Sequence, residues 1–391
     1  MDNNRFQDPS TGKLVKILPQ FDDLAFVPAP LPPNWSFPEY LWPKVAEAKQ
    51  LLGELDGIGR TLQNPDLLLR PLRHREALRS SSLEGTYATP AELLLFELKP
   101  STALKSDQAN SWREVSNYGT ALQEGFEYLK KNPLTLDFIK KLHYWLLSDV
   151  RGSSKSPGEF RDRQVQIGSQ ARFVPPPVEY LDDCLTDLEP YLNSSAGSPF
   201  DPLVFCYLVH YQFEAIHPFL DGNGRVGRLL LALMTWRECG LTLPWLYMSA
   251  FFESNKDEYT SGLFNISARG DWQDWVYFCL TGTIEQAKDA IRRCDLLGTL
   301  KREMHDRTAS GSGRLHKIVD ELFQTPITTV PIVRDRLEVS YPTAKADVDK
   351  LIEAKVLAPL DSDSRPKVYY APEIFQITFM DLDRENPQTI S

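Results

Sequence analysis

The sequence predicts a mainly α-helical protein with one short β-hairpin near its middle and a small helical unit ending in a hairpin at its C-terminal side. Three observations predict this class. Apolar residues recur at three- and four-residue spacing through most of the chain, strand-like alternation is confined to a short stretch around Val165, and prolines sit where helices begin.

The first forty residues, with FVPAPLPPNWSFPEY, hold too many prolines for regular structure and are expected to form an extended arm. Helices are expected at Ala46–Leu55 and Leu67–Leu83, the second ending near Glu84-Gly85. Thr89-Pro90-Ala91-Glu92 then supplies an N-cap, a first-turn proline and a capping-box glutamate ahead of another helix. Two more fall between Ser111 and Ser148. In GEFRDRQVQIGSQARFVPPP, Val165 and Ile167 alternate with polar residues, and Gly168-Ser169-Gln170 can turn the chain back into Arg172-Phe173-Val174. Helices resume over Val178–Leu192, Pro202–Ile216 and Arg225–Cys239, and again through QDWVYFCLTGTIEQAKDAIRRC. HDRTASGSGR, from His305 to Arg314, has a linker's composition. Beyond it, three short helical patterns and KVYYA give the order helix, helix, helix, hairpin of a winged helix-turn-helix unit. The expected organisation is therefore an N-terminal region over 1–110, a core over 111–297, a linker over 298–314 and a small domain over 315–391.

Composition narrows the functional classes. At 391 residues, 42% hydrophobic and 25% charged, the chain is an ordinary globular protein. No apolar run, Leu229–Met234 included, approaches the ~20 residues of a membrane helix, and MDNNRFQDPS lacks a signal peptide's apolar core. A cytoplasmic protein without membrane contact is expected. The five cysteines are scattered and never form CxxC, so they read as buried thiols rather than disulfides or zinc ligands. A net charge of -10 disfavours a whole-molecule nucleic-acid binder and leaves room for a local basic pocket. From Ser312 to Thr378, 9 Lys and Arg stand against 10 Asp and Glu. Phosphate contacts dominate DNA affinity, so protein contact or dimerisation is the favoured role for this unit, with DNA binding left open.

The chemistry concentrates in HPFLDGNGRVGR, His217 to Arg228. A helical pattern stops at His217-Pro218 and another begins after Gly224, which places the stretch in a loop leading into a helix N-terminus. First-turn amides have no partners inside a helix and the macrodipole is positive there, so Gly222, Asn223 and Gly224 can wrap N–H groups around a phosphate. Arg225 and Arg228 offer forked donors for further phosphate oxygens. Asp221 at the same mouth could hold Mg2+ between two phosphates, and a neutral His217 could take a proton from an attacking hydroxyl. Phe219 is expected to turn into the core. These groups together suit in-line attack at a nucleotide phosphorus.

The stretch resembles the signature of Fic-domain proteins, His-x-Phe-x-Asp/Glu-Gly-Asn-Gly-Arg-x-x-Arg, with all eight fixed positions met. The resemblance extends over much of Ser111 to Cys294, including PGEFR, QVQIG and FVPPP ahead of the motif. It implies a Fic-type helical bundle with a β-hairpin flap and a C-terminal winged helix-turn-helix domain. It also implies transfer of AMP from MgATP to a Ser, Thr or Tyr hydroxyl of a protein target, with pyrophosphate leaving. By similarity His217 is the general base, Asp221 the Mg2+ ligand, Gly222, Asn223 and Gly224 the anion hole, and Arg225 and Arg228 the holders of the outer phosphates. The flap near Val165 to Val174 would register an extended target segment by strand addition. Asn255 and Tyr259 fall where related enzymes line the adenine site. Related kinases alter the Gly-Asn-Gly-Arg portion, which is intact here.

A second motif opposes the first. Ser80-x-x-x-Glu84-Gly85 is similar to the family's inhibitory motif, Ser/Thr-x-x-x-Glu-Gly/Asn, and precedes the catalytic loop as in members with an N-terminal inhibitory helix. A carboxylate there would occupy the Arg228 guanidinium that a γ-phosphate needs. A charge-assisted bond of ~1.5–3 kcal/mol would shift the productive equilibrium by roughly tenfold to a hundredfold.

Other candidates carry less. His74, His143, His210, His305 and His316 have no metal-ligand spacing, and WLYMSAFFESN reads as core. Three alternatives stay open: another nucleotide donor such as UTP or CDP-choline, net removal of AMP through Glu84, and a transcriptional regulator whose core only senses nucleotide. Homodimers and self-modification are common among relatives, and no residue in the sequence decides either.

Overall fold

The computed structural model describes residues 3–17, 24–62, 64–98, 107–148, 150, 156–168, 173–193, 195–309, 311–360 and 365–380. Its architecture is mainly helical, with two small sheets among the described residues.

The buried centre is a pair of helices, α7 (Pro202–Ile216) and α8 (Asn223–Glu238), joined by the His217–Gly222 loop. Every residue of α7 from Leu203 to Ile216 is buried, as expected of a helix apolar on all sides. Asp201 starts it, its side chain accepting a hydrogen bond from the Leu203 N–H, with Pro202 in the first turn. Around this pair lie α4 (Asp107–Leu129), α5 (Leu136–Leu147), α6 (Val178–Tyr191), α9 (Ser249–Ser254) and α10 (Lys256–Arg269). On the outer side α1 (Trp42–Thr61) packs along α11 (Trp272–Arg307).

Helix α2 (Asp66–Leu83) reaches the centre from outside, packing on α4 and α9. Its buried Glu76 accepts hydrogen bonds from Tyr118, from the Ser249 hydroxyl and from the Ser249 N–H. Arg79 pairs with Glu253 of α9. These bonds fix where the helix ends, at Glu84, as the Gly85 turn predicts. The capping box opening α3 (Pro90–Leu98) is present: Glu92 accepts from the Thr89 N–H at 2.8 Å, and Thr89 Oγ1 accepts from the Glu92 N–H at 3.2 Å.

Two expectations are corrected. The proline-rich arm holds an antiparallel pair, β1 (Gly12–Lys16) with β2 (Leu24–Pro28), because its prolines flank these runs and leave Leu24–Val27 free to pair and to bury Ala25, Phe26 and Val27. The stretch 298–314, read as a linker, is helical through Arg307. Leu297, Leu300 and Met304 are buried at helical spacing, so packing overrides the composition of its end.

The C-terminal elements are α12 (Gly313–Gln324), β3 (Ile327–Thr329), α13 (Val330–Leu337), α14 (Tyr341–Glu353), β4 (Ala358–Pro359), β5 (Val368–Tyr370) and α15 (Pro372–Phe379), with sheet order β3-β5-β4. Strand β3 and helix α15 add to the expected order. Both α12 and α15 pack on α2 and α11, and buried Arg293 of α11 donates to the carbonyls of Ile377 and Thr378.

Candidate active site

Helix α7 ends because His217 takes a left-handed conformation, φ 50°, and Pro218 follows it. Asn223 then closes the loop with its side chain: Oδ1 accepts from the Phe219 N–H at 2.8 Å and Nδ2 donates to the Phe219 carbonyl at 2.9 Å. Gly222, at φ 77°, supplies the positive-φ turn that starts α8. Asn223 therefore shapes the loop through its side chain. The first-turn N–H groups of α8 remain without intrahelical acceptors beside Gly224.

Gly224 lines a cavity of about 450 Å3. His217, Arg228, Glu84, Glu214 and Tyr259 line it too, and Ile167, Phe173, Leu263 and Phe264 give it an apolar end. Ile167 and Phe173 form a bridge of the expected hairpin, each N–H donating to the other's carbonyl. The hairpin's turn, at Ser169 and Gln170 with the two residues after them, lies outside the described residues.

Arg228 is buried and engaged by the end of α2. Its Nε donates to Ser80 Oγ at 2.9 Å, and its Nη2 donates to the Ser80 carbonyl and to Glu84 Oε1, each at 2.8 Å. A Cβ placed on Gly224 would run into the Glu84 carboxylate, so this carboxylate lies against the mouth of α8 where an anion would bind. Burial alone would raise the Glu84 pKa. The Arg228 charge and hydrogen bond outweigh it, with Arg225 and His217 adding, and the net result lies below the ordinary carboxylate range.

His217 is lowered to about 4, mainly by burial, with Glu84 and the Glu214 carbonyl acting in the opposite direction. The imidazole is thus neutral near pH 7. Its Nδ1 lies 3.4 Å from the Glu214 carbonyl, and a proton held there leaves the Nε2 lone pair available as a base.

Arg225 was expected beside Arg228 on the phosphates. It turns instead to Glu114 of α4, donating from Nη1 to Oε2 at 3.0 Å, while Thr86 donates to the same oxygen. Arg225 does not line the cavity. Three residues along a helix leave two side chains about 60° apart around its axis, and the length of the arginine side chains lets the two guanidinium groups reach different partners. Asp221 stands at the mouth, its side chain 38% exposed and its Oδ1 accepting from the Gly222 N–H.

Tyr259 lines the cavity with its hydroxyl 3.0 Å from His210 Nε2. Asn255 does not line it, and its amide donates to the Phe251 carbonyl.

Two supporting residues escaped sequence reasoning. His143 stacks on Phe219 at 3.8 Å, accepts from the Gly158 N–H at Nδ1 and therefore donates from Nε2 to the Asp221 carbonyl. Arg161 is buried and donates to the carbonyls of His217 and Pro176. Both lie far from the motif in sequence, and only the PGEFR segment around Arg161 gave a signal.

An open helix N-terminus, a neutral histidine and a buried arginine thus meet at one cavity on a helical scaffold. Residues 42–127 match the Fic/DOC family N-terminal model and residues 133–235 the Fic/DOC family model, so the chain carries a Fic N-terminal region and a Fic domain. It is similar to protein adenylyltransferase fic-1 of Caenorhabditis elegans, 35% identical over 182 residues that cover 46% of this chain and 32% of the relative. It is also similar to protein adenylyltransferase Fic of Drosophila virilis, 38% identical over 109 residues that cover 28% of this chain and 21% of the relative. The matches thus span about a third or less of these relatives. The fold resembles that of a Fic family protein from Desulfovibrio desulfuricans G20, with a TM-score of 0.56 at 21% identity over 87% of this chain and 98% of that one. C. elegans Fic-1 gives a TM-score of 0.51 at 22% identity over 63% of this chain and 71% of that one.

Proposed function

We propose that the protein is an adenylyltransferase that moves AMP from MgATP to a Ser, Thr or Tyr hydroxyl of a protein, and that Glu84 restrains it by holding Arg228. The observation that carries this reading is the meeting, in one cavity, of neutral His217, the open first turn of α8 and an Arg228 already paired with a carboxylate. The named relatives support it.

In the reaction the target hydroxyl oxygen attacks the α-phosphorus, the bond from that phosphorus to the leaving pyrophosphate breaks, and the hydroxyl proton passes to His217 Nε2. The N–H groups at Asn223 and Gly224, joined by that of Gly222 once it leaves Asp221 Oδ1, stabilise charge on the phosphate oxygens. Arg228, freed from Glu84, holds the outer phosphates. Arg225 contributes by fixing the loop against α4 through Glu114. The base lies in the apolar end; Tyr259 lines the neighbouring wall with its hydroxyl beside Arg228, and Asn255 supports that wall from outside the cavity.

The residues suit a Mg2+ ion. No group of three or more His, Cys, Asp or Glu among the described residues could hold a metal alone, and Asp221 is a single, partly exposed carboxylate at the mouth. Mg2+ favours such a site because it keeps water and phosphate oxygens as its other ligands. When bound it offsets phosphate charge.

The target is a protein, which includes a second copy of this chain. The C-terminal unit, a winged-helix arrangement in this reading, is near neutral and suits protein contact better than DNA. Among the described residues no helix is long and apolar enough to cross a membrane.

Donor choice tests the activity. Protein labelling from α-labelled ATP, challenged with excess unlabelled ATP, UTP or CDP-choline, should be suppressed only by ATP. Suppression by UTP or CDP-choline alone would overturn the assignment of the donor. Release of AMP from premodified protein as the dominant reaction would instead favour removal.

A further inference from the structure

The α7 side of the cavity carries three residues at three-residue intervals, Tyr211, Glu214 and His217. Tyr211 stands toward the apolar end, its hydroxyl 2.9 Å from Ser267 Oγ. His217 stands toward the phosphate end, with Gly224 and Arg228. Glu214 lies between them, and three helical residues advance about 4.5 Å. A nucleotide whose base fills the apolar end and whose phosphates reach Arg228 therefore places its sugar level with Glu214.

The Glu214 side chain has no role in the proton or phosphate steps, yet its environment is unusual. It is nine-tenths buried, and its Oε1 makes no hydrogen bond. Gly227 leaves the room that Oε1 occupies, since a Cβ there would run into it. Oε1 is packed against Gly227 beyond a ligand's reach, which leaves Oε2, on a residue that lines the cavity, as the carboxyl oxygen a ligand can meet.

We propose that Glu214 is the sugar-recognition residue of this cavity, its carboxyl group forming a hydrogen bond with a ribose hydroxyl of the bound nucleotide. The proposal rests on the adenylyl-transfer reading of the same site. Burial pushes the Glu214 pKa up to about 8, with Arg228 opposing and Glu84 adding. The acid thus keeps its proton near neutrality, both donates and accepts, and adds no charge to repel the phosphates. A deoxynucleotide leaves it unsatisfied, which selects for ribonucleotides.

The test is calorimetric binding of ATP, 2′-deoxy-ATP and 3′-deoxy-ATP to the full chain carrying Glu84→Gly, alone and combined with Glu214→Gln, Glu214→Met or Glu214→Ala. Glu84→Gly should bind ATP about three- to tenfold more tightly than at least one deoxy analogue. The gap should persist with Gln and close to within about twofold with Met and Ala, because removing either partner removes the same bond. Oε1 has no partner to lose, so the Met variant should fold at least as stably as its parent. A gap that survives in Met and Ala, or that is absent in Glu84→Gly, overturns the role of Glu214 while leaving ATP binding intact. Failure of Glu84→Gly to bind ATP overturns the nucleotide reading itself, and this proposal with it.

Discussion

Glu84 Oε1 accepts a hydrogen bond from Arg228 Nη2 at 2.8 Å, in a pair whose arginine side chain is 2% exposed and whose glutamate side chain is 39% exposed. The asymmetry determines which partner can leave. Arg228 is locked by Ser80, whereas Glu84 ends a helix beside solvent. Water screening of the exposed carboxylate places the bond near the lower end of the charge-assisted range. Glu84→Gly should therefore raise ATP affinity by about tenfold in calorimetry. An unchanged affinity would mean that the triphosphate does not compete for Arg228.

Ser80 holds the same guanidinium through its hydroxyl and its carbonyl. Ser80→Ala removes only the hydroxyl contact. It should loosen the inhibited arrangement by about 1 kcal/mol and raise AMP incorporation severalfold, less than Glu84→Gly does. Activation equal to that of Glu84→Gly would place the brake in Ser80 rather than in the carboxylate.

Glu114 partners Arg225, whose side chain is 5% exposed. Glu114→Leu strands a buried cation and should cost about 3–5 kcal/mol of stability, visible as a lowered denaturation midpoint. The double change Glu114→Leu with Arg225→Met should recover most of the loss. A single variant as stable as the parent would mean that Arg225 finds another carboxylate.

Two buried histidines are held neutral by their partners. His143 accepts from Gly158, and His210 donates from Nδ1 to the Gly227 carbonyl while Nε2 accepts from Tyr259. Burial lowers His143 to about 4 and His210 to about 3. Below pH 6.5 the unfolded chain takes up protons that the folded one refuses. Their contribution is thus intact above pH 6.5 and lost as pH falls toward 4, at about 2 kcal/mol apiece by pH 5. Urea midpoints at pH 8 and pH 5 should show the drop, and His210→Phe should reduce its size. Equal midpoints would contradict the neutral assignment.

The loop from His217 to Arg228 and the Glu84 motif were legible because each is a local pattern with an ordered spacing. What the loop leans on was not. His143, Arg161 and Glu114 reach it across the fold, and no periodicity links them to it. Glu214 hid inside a largely apolar helix whose pattern gives no sign of a site. Prolines masked the β1–β2 pair by suggesting irregular chain throughout, although they flank the paired residues. The Gly- and Ser-rich composition after His305 concealed a helix that continues to Arg307 because Leu297, Leu300 and Met304 are buried against their neighbours.

The most direct test of the account is incorporation of labelled AMP into protein, read with intact mass, for the parent, Glu84→Gly, and Glu84→Gly with His217→Ala, each with MgATP and cell lysate. The account predicts weak labelling of the parent, at least about tenfold more for Glu84→Gly, and loss of at least about a hundredfold when His217 is also removed. No labelling by Glu84→Gly, or labelling that survives His217→Ala, would contradict it.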